Sequence, residues 1–188
     1  MMKLRDWVDI DKIDWYDISQ QPNAINLLRT NPDKINWETL GLNPNAIELM
    51  KENLDKIDMG WLSYNPNGME ILKSHLNNID IYMISRNPNA IDFLKENPDK
   101  IDWEFIGLNP NAIELIKVHI KEQQHSVKYI WTYLSLNPNA IDILKENPYK
   151  INWKHLSKNP NAIDILKENP DKINWKHLSK NPNAIDIL

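Results

Sequence analysis

Residues 87–108 read NPNAIDFLKENPDKIDWEFIGL, and near copies of this 22-residue segment follow one another along most of the 188-residue chain. The copies begin with Asn-Pro, once Gln-Pro, at residues 21, 43, 65, 87, 109, 137, 159 and 181. The copy that starts at residue 109 has 28 residues, six more than the others. Residues 11–20 match the second half of a copy. The period therefore predicts an N-terminal segment, residues 1–10, and one repeat domain, residues 11–188.

The residue types at fixed positions predict two short helices per repeat, when the first Asn is counted as position 1. Asn-Pro at positions 1 and 2 is typical of a helix start, because Asn caps free N–H groups and Pro fits the first helical turn. Apolar residues at positions 4, 5 and 8 then share one helix face. We expect this first helix over positions 2–10, and a second Asn-Pro at positions 11 and 12 ends it.

The start of the second helix has two alternatives. It begins either at the second Asn-Pro or at position 16, which is Asp or Asn in seven of eight copies and is also a good cap. The 28-residue copy lacks the second Asn-Pro, so its first helix is predicted to run to about Gln123. A strand interpretation fits poorly, because the apolar spacing is not two and proline recurs within each repeat.

One repeat is too small to bury its own apolar face, so the pattern predicts an all-α protein, an α-solenoid of stacked short helix pairs. Position 20 is Leu or Ile throughout. Position 17 is tryptophan in six copies, and we expect these rings to be buried between neighbouring repeats: Trp15, Trp37, Trp103, Trp131, Trp153 and Trp175.

The sequence contains no arrangement typical of an active site or a metal site. It has no cysteine, its four glycines are widely spaced, and no nucleophile motif occurs. His155 and His177 share position 19, but a metal site needs further ligands. We therefore expect no enzymatic activity, no metal and no cofactor.

Two rows of basic residues raise the alternative of a nucleic-acid-binding array. Position 9 is Lys or Arg in every complete repeat, and position 14 is nearly always Lys. Position 6, three residues before the first row, is acidic in seven of eight copies, so each basic row has an acidic neighbour on the same face. Together with the net charge of −4, this favours a solvated surface with local ion pairs and makes nucleic acid an unlikely partner.

The positions that vary most between repeats, 18, 19 and 22, are free to contact a partner. In the middle of the array they supply aromatic and apolar residues, and these are the candidate partner-binding residues: Trp61, Tyr64, Met83, Phe105, Leu108, Tyr133 and Leu136. If exposed, they form an apolar strip of the kind found at protein interfaces. The alternative is that position 19 packs inside the superhelix. We expect a non-enzymatic protein-interaction scaffold.

A structural, self-assembling role is the third alternative. The chain stops at Leu188, halfway through a repeat and without a polar cap, so we expect self-association through this end. No run of 18 apolar residues and no apolar signal segment occurs, so no membrane contact is expected and the location is predicted to be intracellular, in the cytoplasm.

Units of the form NPNAIDILKENPDKINW resemble the short Asn-Pro repeats of proteins predicted in giant, mimivirus-like DNA viruses. The resemblance covers residues 11–188. It implies an interaction role by analogy with other solenoids and a place in the host cytoplasm, and it supplies no catalytic or binding residues.

Overall fold

The computed structural model describes residues 8–122 and 129–187, and these residues form helices and turns with no β-strand among them. The predicted all-α class is confirmed. The chain divides into two compact units, of which the first ends at Ala90 and the second begins at Ile91. Within the first unit the second helices of neighbouring repeats pack on one another; the continuous solenoid stays a prediction.

The α-helices are short, and six of the seven complete repeats contribute two. The first unit contains α1 (Trp15–Gln20), α2 (Ile25–Thr30), α3 (Trp37–Leu40), α4 (Ile47–Lys51), α5 (Met59–Tyr64), α6 (Met69–Leu72) and α7 (Ile81–Arg86). The second contains α8 (Ile91–Glu96), α9 (Ile113–Glu122), α10 (Ile130–Leu134), α11 (Ile141–Glu146), α12 (Trp153–Leu156), α13 (Ile163–Glu168) and α14 (Trp175–Leu178).

Single 3₁₀ turns lie before or between many of these helices. They are Ile10–Lys12, Pro22–Ala24, Pro32–Lys34, Leu76–Asn78, Pro98–Lys100, Phe105–Leu108, Pro138–Ala140, Pro148–Lys150, Pro170–Lys172 and Ala184–Ile187. In the second unit, α10 packs against the 3₁₀ turn Phe105–Leu108, which occupies the place of a second helix in its repeat.

The second α-helix starts at position 17 in most repeats, so the alternative that used position 16 as the cap is the one observed there; α10 is the exception and begins at Ile130, which occupies position 16. In α7 the Asp80 carboxylate accepts a hydrogen bond from the Met83 N–H at 2.8 Å, and in α5 Asp58 accepts from the Trp61 N–H at 2.9 Å. The second Asn-Pro forms only a 3₁₀ turn before this helix, as at Pro98–Lys100. A cap at position 16 satisfies N–H groups that the helix itself leaves free.

The first helix begins later than predicted, at position 5, because positions 2–4 form a tight turn. It ends at the second Asn-Pro, as expected, and the Asn97 side chain donates to the Phe93 carbonyl at 2.8 Å. His75 replaces this Asn in one repeat and places its Nδ1 2.9 Å from the Ile71 carbonyl. Helix α9 has ten residues, which agrees with the predicted extension as far as Glu122; Gln123 lies outside the described residues.

The core is built from the same few positions in each complete repeat: 4, 8 and 20, together with position 7 in most copies, as at Leu49 and Phe93. Side chains at positions 8 and 20 are fully buried, for example Leu94 and Ile106, and the alanine at position 4 is fully buried in most copies. Positions 4 and 8 are one helical turn apart and therefore share a face. Position 5 was expected on this face but is only half-buried, as at Ile91, because the helix starts there and turns this side chain toward its edge.

Position-1 asparagines form a buried ladder between repeats, which the sequence analysis did not foresee. Asn65 donates through Nδ2 to the carbonyls of Gly41 and Asn43, at 2.8 and 3.0 Å, and its Oδ1 accepts from the Asn67 N–H at 2.9 Å. Asn67 at position 3 donates to the Pro44 carbonyl at 2.9 Å. The same inter-repeat bonds recur at Asn43, Asn87, Asn137, Asn159 and Asn181.

Serine at position 21 adds a second inter-repeat link. The Ser135 hydroxyl donates to the Trp131 carbonyl at 2.7 Å and accepts the Asn152 N–H of the next repeat at 2.9 Å. Ser63 makes the equivalent bonds to Met59 and Asp80. Within each unit, neighbouring repeats are therefore joined through side chains that satisfy buried backbone groups.

The prediction that the position-17 tryptophans are buried is wrong for most copies. Trp131 is 4% exposed, whereas Trp175 is 54% exposed and the other described rings are half-buried. Positions 4, 7, 8 and 20 supply most of the buried apolar side chains, and most of the indole rings lie along the edge of this core. Lysine at position 14 of the following repeat covers two of them: Lys56 lies 4.8 Å from the Trp37 ring centre and Lys172 lies 4.7 Å from that of Trp153.

Candidate functional site

Positions 18, 19 and 22 lie on the second helices or directly after them, and we call the side chains at these positions the variable face. Position 20, which lies between them in sequence, is fully buried in every complete repeat. From Trp61 onward, by contrast, every position-19 side chain is half-buried. In each unit the variable face therefore borders the core, and its side chains remain partly accessible to solvent.

The seven predicted partner-binding residues all lie on the variable face. Tyr64 is 38% exposed and the other six are half-buried. Full burial at position 19 is seen only for Thr39, among the described residues. The first unit holds Trp61, Tyr64 and Met83, and the second holds Phe105, Leu108, Tyr133 and Leu136. Their role in partner binding stays a prediction.

In the first unit an arginine joins the aromatic residues of this face. The Arg86 guanidinium carbon lies 4.9 Å from the Tyr64 ring centre and 5.0 Å from that of Tyr82, and its Nη1 donates to the Tyr82 hydroxyl at 3.0 Å. Trp61 donates through Nε1 to the Glu38 carboxylate of the preceding repeat, at 3.3 Å. An arginine held between two rings is a feature that occurs at protein-binding surfaces.

In the second unit the variable face begins with two aromatic side chains in contact. The rings of Phe105 and Tyr133 have centres 4.8 Å apart and are tilted by 38°. Leu108 and Leu136, three residues further on in each repeat, are half-buried beside the core. Ring pairs with this spacing are favourable and hold both side chains in fixed positions.

Beyond Tyr133 the variable face of the second unit changes from apolar to basic. The last two complete repeats both carry WKHLSK, and they place four lysines and two histidines at positions 18, 19 and 22: Lys154, His155, Lys158, Lys176, His177 and Lys180. Burial and the neighbouring Lys158 and Lys154 lower the pKa of His155. Desolvation, Lys158 and Lys154 also lower the pKa of His177.

The basic row at position 9 is different, because four of its seven side chains pair with carboxylates: Arg29, Lys51, Lys95 and Lys117. Lys51 lies 3.0 Å from Glu48 and 2.9 Å from Glu70 of the next repeat, and hydrogen bonds to Glu70 and Glu48 raise the pKa of Lys51. Lys117 pairs with Glu114 at 2.9 Å, and Arg29 pairs with Glu52 of the next repeat at 3.1 Å. The predicted local ion pairs are thus present in this row.

The six extra residues lengthen α9, which forms one wall of a small surface cavity. The cavity is lined by Leu94, Lys95, Pro98, Ile101, Trp103, Leu115, Val118, His119 and Glu122. The Trp103 and His119 rings are stacked with centres 3.4 Å apart, and burial lowers the pKa of His119. Val118 remains 55% exposed at this cavity.

Sequence reasoning missed the place of Arg86 on the variable face and the cavity beside α9. Neither Arg86 nor Tyr82 was among the candidate residues, whereas the structure places Arg86 between the rings of Tyr64 and Tyr82. The pattern Tyr-x-x-x-Arg at positions 18 and 22 puts the two side chains one helical turn apart and was a usable signal. The cavity beside α9 had no comparable signal in the sequence.

Within residues 8–122 and 129–187, no group of three His, Asp or Glu side chains is arranged to hold a metal ion. None of the helices in this part of the chain is long and apolar enough to cross a bilayer. No protein-family model, curated protein or solved structure matches the chain.

Proposed function

We propose that this protein is a non-enzymatic scaffold that binds another protein along the variable face. One observation carries the proposal: the positions that join the repeats keep their residue type and are buried, whereas positions 18, 19 and 22 vary along the chain and, except for Thr39, remain at least partly accessible. Aromatic residues and arginine, which dominate this face in the middle of the chain, are the residue types enriched at interface hot spots.

The ordering of these side chains supports the same proposal. Phe105 and Tyr133 hold each other, and Arg86 is held by two tyrosines. Side chains that are already fixed lose little conformational entropy when a partner binds. By analogy with the viral repeat proteins that the sequence resembles, we further propose that the protein acts in the host cytoplasm.

The test is quantitative capture of partners from the native cell, followed by affinity measurement with the captured protein. Phe105→Ala with Tyr133→Ala should weaken binding by more than about 2 kcal/mol while most of the stability is kept. Tyr149→Ala is the matched control, because Tyr149 is an aromatic residue that is 99% exposed and lies outside the variable face. Equal binding by the double variant and the control would refute the proposal.

Nucleic-acid binding through the rows at positions 9 and 14 is the weaker alternative. Its basic side chains at position 9 are partly neutralised by the ion pairs described above. Sub-micromolar binding to DNA or RNA at physiological salt, lost in Lys95→Glu with Lys145→Glu, would favour it over the scaffold.

A further inference from the structure

The WKHLSK repeats at positions 17–22 form a cationic surface that the function proposed above does not use. Lys154 and Lys158 are four residues apart in sequence, and the helical backbone of Ser157 places them one turn apart on the same side of α12. Lys176 and Lys180 repeat this arrangement on α14. We call these four lysines, with His155 and His177, the basic face.

Hydrogen bonds join the two repeats that carry these lysines. The N–H of Asn174, the N-cap of α14, donates at 3.0 Å to the hydroxyl of Ser157, which follows α12, and the Asn181 side chain donates to the Ser157 carbonyl at 3.2 Å. Desolvation lowers the pKa of His177, and so do Lys158 and Lys154 of the preceding repeat. His155 is affected by the same two lysines, Lys158 and Lys154. The positive charges are therefore concentrated rather than spread along the chain.

The four lysines have no acidic neighbours at ion-pair distance among the described residues, in contrast to Lys51 and Lys117. The segments 153–158 and 175–180 contain no acidic residue at all. A group of cations close together repel one another, and a bound anion removes this repulsion. Within the described part of the chain, the positive charges of the basic face are therefore unpaired, and their mutual repulsion favours the binding of a negatively charged ligand.

The two histidines add neutral hydrogen-bonding groups rather than charge at neutral pH, since the pKa of each is lowered. The Nδ1 of His177 lies 2.7 Å from the Asn174 Oδ1, which also accepts the His177 backbone N–H. Because that oxygen can only accept, His177 Nδ1 carries the proton, and Nε2 is left as the acceptor. The positive charge of the basic face at pH 7 is therefore carried by the lysines.

The extent of the basic face favours an acidic protein segment over a nucleic acid. The face covers two repeats, or about 20 Å at the usual spacing of packed helices. An extended peptide rises about 3.3 Å per residue, so a run of about six residues spans it. At the same repeat positions, the repeat before the basic face carries Tyr133 and Leu136, and the one before that carries Glu104. Tyr133 and Leu136 would support apolar side chains of a partner, whereas Glu104 would repel a continuing phosphate backbone.

We infer that the basic face binds a short acidic segment of a partner protein, with the apolar residues that adjoin this segment placed against Tyr133 and Phe105. This inference rests on the proposed scaffold function and names the chemistry of its partner. Lysine side chains at the rim of an interface mainly increase the association rate and fix the direction of the bound segment.

The test uses the full-length protein and fluorescein-labelled synthetic peptides in which Leu-Phe precedes a run of Asp and Glu. Matched peptides carry Asn and Gln in place of the acids, and a labelled single-stranded DNA of similar length is the second probe. The variant is Lys154→Gln, Lys158→Gln, Lys176→Gln and Lys180→Gln. Its control removes the same number of charges from exposed lysines elsewhere in the second unit, with Lys121→Gln, Lys145→Gln, Lys150→Gln and Lys167→Gln.

The acidic peptide should bind with strong salt dependence, and the variant in the basic face should weaken it at least about tenfold, while the control changes its affinity by less than about twofold. The Asn/Gln peptide should bind no better to the unmodified protein than the acidic peptide binds to the variant. Equal losses in the two variants would show a response to net charge only and would overturn the inference. Tighter binding of the DNA through the same four lysines would also overturn it and would assign the face to nucleic acid.

Failure of this inference can be told apart from failure of the scaffold proposal. Cellular partners that are lost with the Phe105/Tyr133 double variant but retained by the four-lysine variant would support the scaffold and refute the acidic segment. Peptide binding that depends on the four lysines, together with no cellular partner that depends on Phe105 and Tyr133, would support the acidic segment and refute the scaffold proposal.

Discussion

At the scale of single residues, the position-1 asparagine has two roles that a sequence pattern does not separate. Asn65 caps the turn of its own repeat and also donates to two carbonyls of the preceding repeat. It is 0% exposed, so the two carbonyls have no access to water in its absence. A buried polar group without a partner destabilises a protein by about 1–3 kcal/mol.

We therefore expect Asn65→Ala to lower the free energy of unfolding by roughly 2–5 kcal/mol. Asn67→Ala is the control: its side chain is exposed and makes a single bond, to the Pro44 carbonyl, so the expected loss is below about 1 kcal/mol. Chemical denaturation of both variants measures the difference. Similar losses in the two variants would contradict a special role for the buried position.

Exposure also separates tryptophans that look equivalent in the sequence. Trp131→Ala should cost about 3–5 kcal/mol, because this ring is 4% exposed and its removal leaves a cavity. Trp175 occupies the same repeat position but is 54% exposed, so Trp175→Ala should cost less than about 1 kcal/mol. Thermal melts of the two variants check this. A loss of stability in Trp175→Ala as large as that in Trp131→Ala would show that the two rings are equally buried.

At the scale of helices, capping decides where each short element begins. The second helices have four to six residues, which is far too few for an isolated helix to be stable. Except in α10, their N–H groups at the first turn depend on the Asp or Asn at position 16, and their last carbonyls depend on the turn toward the next repeat. The cap is therefore a larger part of the stability here than in a long helix.

Asp80→Ala should destabilise the protein by about 1 kcal/mol, since the bond from the Met83 N–H to its carboxylate is lost. The exposed Asp55, which caps no helix, supplies the control, and Asp55→Ala should stay within about 0.5 kcal/mol of the unmodified protein. Urea unfolding measures both. A neutral Asp80→Ala would mean that another group caps α7.

Sequence reasoning performed unevenly at this scale, for physical reasons. The helix class, the role of the second Asn-Pro and the buried positions 4, 8 and 20 follow from local rules that each repeat obeys by itself. The start at position 5 reflects the turn at positions 2–4, whose bond from the position-4 N–H to the position-1 carbonyl was not foreseen. The exposure of the position-17 rings depends instead on contacts between repeats. The cluster of Tyr64, Tyr82 and Arg86 also spans two repeats, so a pattern read within one repeat could not place it.

At the scale of the whole molecule, neighbouring repeats near the C-terminal end are joined by the same two hydrogen bonds. In each case the position-1 asparagine donates to two backbone carbonyls that precede it. Asn159 donates to the carbonyls of Ser135 and Asn137, at 3.1 and 2.8 Å. Asn181 makes the same bonds one repeat later, to Ser157 and Asn159, at 3.2 and 2.7 Å. The contacts between these repeats are thus equivalent, and the stability of such arrays is approximately a sum over repeats and their interfaces.

Deletion of residues 150–171 should therefore leave a folded, helical protein, because it joins Tyr149 to Lys172 and lets Asn181 take the acceptors that Asn159 uses. The midpoint of thermal unfolding should fall by roughly 3–10 °C, through the loss of one repeat and one interface. Deletion of residues 150–160, half a repeat, is the control and should abolish cooperative unfolding. Circular dichroism follows both, and equal damage from the two deletions would contradict the equivalence of the interfaces.

The asparagine ladder has a consequence for the chemical ageing of the protein. Asparagine deamidates when the backbone nitrogen of the next residue attacks its side-chain amide, and proline nitrogen carries no hydrogen and cannot take this part. Every asparagine at position 1 precedes a proline, so the buried ladder is protected by its own sequence. Asn67 instead precedes Gly68, whose N–H is held by the Asn65 carbonyl at 2.9 Å. Mass spectrometry after long storage should find the change first at Asn67, and sooner in the denatured chain, while the position-1 asparagines remain intact.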